Sequence, residues 1–172
     1  PRRLTAKLYG GTLVGDGWIA LGERPRYAVN AQLADANLAL FAQETLPGVQ
    51  NLKGFASAAI ELHGTGSGTT LLGGQGSIAL RETDIGELPV MVQLLKVLRA
   101  RSPNATAFTS SEMNFRIEGE HVYFDKLDLL GDAVSLYGKG ELDFQRNVKL
   151  WFHTMVGRND LPLAALRKLV GE

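Results

Sequence analysis

Three histidines, His63, His121 and His153, are the side chains best placed to bind a metal or move a proton near neutral pH. They are scattered, and none stands three or four residues from another candidate ligand on a helical pattern. Zinc needs about three or four convergent N, S or O ligands, so the spacing argues against a metal site. The glycine-rich run GTGSGTTLLGGQG, from Gly64 to Gly76, has the look of a phosphate loop. It lacks the Gly-Lys-Ser/Thr ending, however, and its Gly-x-Gly pieces run into strand patterns instead of opening a helix whose N-terminus would hold phosphate. Ser67 between Gly66 and Gly68 does not complete a Gly-x-Ser-x-Gly nucleophile elbow. The acidic pairs Glu82/Asp84 and Glu118/Glu120 fall at strand ends and turns, where solvated charge is ordinary. The sequon Asn104-Ala105-Thr106 is too short a pattern to carry weight. With no cysteine, the chain has no disulfide, thiolate zinc site or cysteine nucleophile. The reading is a non-enzymatic chain, with no catalytic residue, cofactor or metal assigned.

Composition narrows the partners. Eighteen basic and eighteen acidic residues cancel, so no long-range field draws in nucleic acid. No run of about 18 apolar residues occurs, and no membrane span is expected within the segment. At 172 residues and 45% hydrophobic content, the chain is expected to form a single β-rich domain over 1–172. Its 20 glycines exceed the usual share of about 7% and gather at strand starts and turns. A start at Pro1 suggests a segment of a larger protein.

The elements that would position any site follow from periodicity. Leu4, Ala6 and Leu8 alternate with polar residues, Gly10-Gly11 turns the chain, and a second strand runs to Leu21. Tyr27, Val29, Ala31 and Leu33 form the next apolar row. Asn37 is placed to cap a short helix from about Leu38 to Thr45, stopped by Pro47-Gly48. Ala56, Ala58, Ile60 and Leu62 line a further strand, and Ile78 and Leu80 the one after it. A long helix is expected from about Leu88, with Pro89 in its first turn, to a stop at Ser102-Pro103-Asn104. Apolar residues including Leu95 cover nearly its whole circumference and require burial on several sides. Met113, Phe115 and Ile117 alternate next, and Gly119-Glu120 reverses the chain. Val122 and Phe124 share one phase and Leu127 and Leu129 the other, which predicts a bulge near Asp125-Lys126. Val134, Leu136, Leu142 and Phe144 point one way, followed by Val148, Leu150 and Phe152, and Asp160 caps a last helix to Val170. Links this short make a meander. The fold class is therefore α+β and β-rich, a curved, mainly antiparallel sheet of about eight or nine strands with two or three helices on its apolar face. Three pieces share a Gly-x-Gly-x-aliphatic grammar: GDGWIAL from Gly15, GGQGSIAL from Gly73 and YGKGELDF from Tyr137.

The order of the glycine-led strand GGQGSIAL, the junction ETDIGELP, the apolar VMVQLLKVL and the block FDKLDLLGDAVSLYGKGELDF with a final strand and helix resembles the C-terminal region of AsmA-like envelope proteins, which include TamB-like members. The likeness spans about Leu52 to Glu172, and more loosely the first fifty residues through YAVNAQLADANLALF. The resemblance brings no catalytic residue. It implies a periplasmic segment of an inner-membrane-anchored protein of a diderm bacterium, acting in phospholipid transport or outer-membrane biogenesis along a β-sheet groove. Implied partners are phospholipid, other envelope proteins and adjoining parts of the same chain. The rows at Ile60, Leu62, Ile78, Leu80, Leu95, Leu136, Leu142, Phe144, Leu150 and Phe152 are read as apolar groove or ordinary core. On the second reading the segment caps a long groove, or docks a protein, with no direct lipid contact.

Overall fold

A computed structural model of the chain describes residues 3–46, 52–83, 109–131, 134–145 and 147–156. Nine strands form one sheet in sequence order: β1 (Leu4–Leu8), β2 (Gly11–Ala20), β3 (Arg26–Asn37), β4 (Phe55–Thr65), β5 (Gly73–Arg81), β6 (Ser110–Glu118), β7 (His121–Leu130), β8 (Val134–Asp143) and β9 (Val148–Val156). Every pair is antiparallel, and the sheet is open, with β1 and β9 at its edges. A meander of this kind follows from alternating strands joined by tight turns. At Tyr9-Gly10 both central residues have positive φ, as a two-residue type I′ hairpin requires. Gly119 (φ 61°) stands first in the β6–β7 reversal, the position that a type II′ turn reserves for glycine.

Among the described residues there is one helix, α1 (Leu38–Thr45), where two or three were expected. The segments read as the other two, from Leu88 to the stop at Ser102 and including Leu95, and from Leu161 to Val170, lie outside the described residues. The first turn of α1 is capped by Asn37, whose Oδ1 accepts from the backbone N–H of Ala39 at 2.8 Å and of Leu40 at 3.3 Å. The junction is pinned further by Asn37 N–H donating to the Tyr9 carbonyl at 2.8 Å and Leu38 N–H to that of Gly54 at 3.0 Å. A bulge in β3, where the register slips between Leu33 and Ala36 and Asp35 takes φ 54°, turns the strand toward the helix. The second bulge is the one expected in β7. There Asn114 pairs with Lys126 and Phe115 with Phe124, leaving Asp125 unopposed on β6.

Candidate functional site: one apolar sheet face

Directly paired residues in a sheet share a face, so the register can be followed from edge to edge. Starting from Leu4 it runs through Gly15, Ala31, Ile60, Gly76, Phe115, Phe124, Gly140 and Leu150. A parallel path starts at Ala6 and passes Leu13, Leu33, Ala58, Ile78, Met113, Leu127, Gly138 and Phe152. Neither path meets a charged residue. The bulge at Asp125 is what keeps Leu127 and Leu129 on the face of Phe124. Without it, the second half of β7 would have turned its aliphatic residues to the other side.

The sequence-derived candidates Ile60, Leu62, Ile78, Leu80, Leu136, Leu142, Leu150 and Phe152 all stand on this face. Phe144 follows the last residue of β8, Asp143, and lies in the turn to β9, 45% exposed, with its N–H donating to the Glu120 carbonyl at 3.0 Å. Two interactions close that turn: Asn147 donates its backbone N–H and its side-chain amide to Asp143 at 2.8 and 2.6 Å.

The Gly-x-Gly repeats acquire a physical meaning here. Gly15 and Gly17, Gly74 and Gly76, and Gly138 and Gly140 all occupy the apolar face. A large side chain of the neighbouring strand lies over several of them. A Cβ on Gly74 would stand 2.8 Å from Leu62 Cδ2, and one on Gly76 or Gly138 would overlap the ring of Phe115 or Phe152. Pairing small with large residues lets a face curl inward without crowding. Motif spacing had singled these glycines out, but the pairing register was needed to say what lies above them.

Burial on this face is shallow. Among the described residues the buried apolar side chains are Ala36, Leu38, Ala42, Leu52, Leu127 and Leu136. Leu38, Ala42 and Leu52 form a small cluster with Phe41, Leu46, Ala56 and Leu80 where α1 lies over one end of the sheet. Elsewhere Val29 (42% exposed), Val148 and Leu150 retain contact with water. Two hollows mark the face. One, of about 440 Å³, is floored by Leu4, Leu13, Gly15, Val29 and Ala31. The other, of about 340 Å³, lies beneath α1.

The opposite face carries the charged side chains and their cross-links, together with the exposed Trp18, Phe55, Trp151 and Met155. Lys126 Nζ reaches Glu112 at 2.7 Å and Asp128 at 3.4 Å, Lys149 reaches Glu141 at 2.7 Å, and Arg116 holds both Glu118 and Asp125 at 2.9 Å while lying 4.7 Å over the Tyr123 ring. Arg81 pairs with Asp35. The hydrogen bond that Lys126 donates to Glu112 holds its ammonium above the ordinary pKa, and the one that Lys149 donates to Glu141 does the same. A hollow of about 400 Å³ on this side is lined by Glu61, Gln75, Asn114, Arg116 and Asp125. Gln75 and Glu61 bond to each other at 3.0 Å, and Arg116 is engaged as described, so no free acid and base converge there.

His63, His121 and His153 lie on this polar face, on β4, β7 and β9. They do not come together, and among the described residues no group of three His, Asp or Glu side chains is placed to hold a metal. Sequence reasoning did not foresee a cluster at one end of the sheet, where three turns meet. Glu120 accepts from Thr69 Oγ1 at 2.8 Å and from Gln145 Nε2 at 3.2 Å, bonds that lower its pKa in that order. The Asp143 carboxyl is likewise lowered, first by the Asn147 side chain and then by its backbone. These ionised acceptors staple the turns. No family model, curated protein or solved structure matches this chain. The reading of the site therefore rests on its residues, and among the described residues no helix is long and apolar enough to cross a membrane.

Proposed function

We propose that this chain is a non-enzymatic, lipid-handling segment of an AsmA-like envelope protein, acting in phospholipid transport or outer-membrane biogenesis on the periplasmic side of an inner-membrane anchor. The observation that carries the reading is the unbroken apolar surface of nine strands, with a charged and hydrogen-bonded reverse side. An acyl chain lying on such a surface gains about 0.8 kcal/mol for each CH2 removed from water. Paired glycines beneath Leu62, Phe115 and Phe152 supply the room for the sheet to curl around it. A second reading is supported by α1, which covers one end of the face: the segment caps a longer groove, or docks a protein, and touches no lipid.

Native mass spectrometry of the purified chain after incubation with dioleoyl phosphatidylglycerol vesicles separates the two. Lipid-handling predicts a phospholipid adduct that is lost in Leu150→Asp and Val148→Asp and kept in Lys149→Gln on the other face. These exposed positions are the appropriate ones, because Leu136 is only 1% exposed and a carboxylate there would unfold the sheet. Folded protein without any adduct would favour the capping role.

A further inference from the structure

The hollow beneath α1 differs from the rest of the face in being roofed. Its lining includes Tyr9, Leu38, Phe41, Leu52, Ile78 and Leu80, and no charged residue among those described. At about 340 Å³ it falls within the range of roughly 300–1,000 Å³ of small-molecule sites. It is more than twice the apolar cavity of about 150 Å³ that takes up benzene. The roof is held rigidly: Asn37 caps α1, and Tyr9 packs edge-on against Phe41 with ring centroids 5.3 Å apart. One lining residue is out of keeping. Thr83 is 2% exposed, and its Oγ1 has no hydrogen-bond partner among the described residues. A buried hydroxyl left unpaired is costly, and in native proteins such a group commonly marks a missing ligand or water.

We propose that this chamber is a binding site for one acyl chain bearing a neutral hydrogen-bonding group, an ester carbonyl or a hydroxyl, with Thr83 as the partner of that group. A free carboxylate fits poorly, because none of the described lining residues is a cation to pair with it. The inference deepens the lipid-handling reading and draws on it only for the class of ligand. On this account α1 is an end stop, where a chain travelling on the open face is held.

The test uses the full chain and a monoacylglycerol with a photoreactive diazirine near the methyl end of its chain, with cross-links mapped by peptide mass spectrometry. The expected result is labelling of α1 and of the Leu52–Ala56 segment, in addition to weaker labelling of the open rows of β6 to β9. Ala56→Phe, which fills the chamber, should reduce α1 labelling at least tenfold and leave the open rows labelled. Thr83→Val should weaken monoacylglycerol binding about threefold to tenfold without changing uptake of dodecane, and this variant stands as the test if Ala56→Phe does not fold. Labelling confined to the open rows, or α1 labelling indifferent to Ala56→Phe, overturns the chamber and leaves the groove. Labelling of α1 alone sustains the chamber and overturns the groove, and no labelling overturns both.

Discussion

Gly138 and Asp143 show how much a single residue decides in a sheet one layer thick. Gly138 lies beneath the Phe152 ring, so Gly138→Val forces that ring off the face and is expected to cost about 1–3 kcal/mol, measured as a lower urea midpoint with an unchanged slope. Asp143, whose carboxyl is lowered by the two Asn147 bonds, gives the fold a defined pH response. A group with a depressed folded pKa contributes stability that is full above its unfolded value, and the contribution is lost as pH falls through the folded value. Stability of the β8–β9 hairpin should therefore decline in acid, below the ordinary carboxylate range. Asp143→Asn should flatten that decline, as read from amide exchange of Val148 and Lys149 against pH. Chemistry at this scale was legible in part. The scatter of the histidines could be read directly, whereas the meeting of Glu120, Thr69 and Gln145 joins residues up to 76 positions apart, and no local pattern encodes that.

Strands and caps were the more readable level. Period-two alternation places Ile60, Ile78 and Leu136 on their face, the phase change after Phe124 locates the β7 bulge, and Asn37 before an apolar run locates α1. Each is a local signal with a local cause. Alternation alone does not register the Asp143–Asn147 bonds that close the turn after β8. What could not be read was which side chains lie over the Gly-x-Gly repeats, because that depends on residues of the adjoining strand. The capping argument is testable by itself: Asn37→Ala removes the acceptor for two backbone N–H groups and should destabilise the chain by about 1 kcal/mol in denaturant melts. It should loosen α1 before it loosens β6 to β9.

At the level of the molecule, the unusual feature is an apolar surface that crosses nine strands while few of its side chains are fully buried. Exposed apolar area of this extent marks an interaction surface in most proteins, and the polar reverse face gives the sheet two unlike sides. On the proposed lipid-handling role, lipid covers one side and water the other. Because the chain has no cysteine, single cysteines can be introduced and labelled without background. Bimane placed in turn at Val29, Ala58 and Leu150, and at their neighbours Ala28, Ala59 and Lys149 on the reverse face, would be challenged with phosphatidylcholine carrying dibrominated acyl chains. The account predicts quenching at the first three positions and not at the second three. Quenching on both faces alike, or on neither while the protein remains folded, would contradict it.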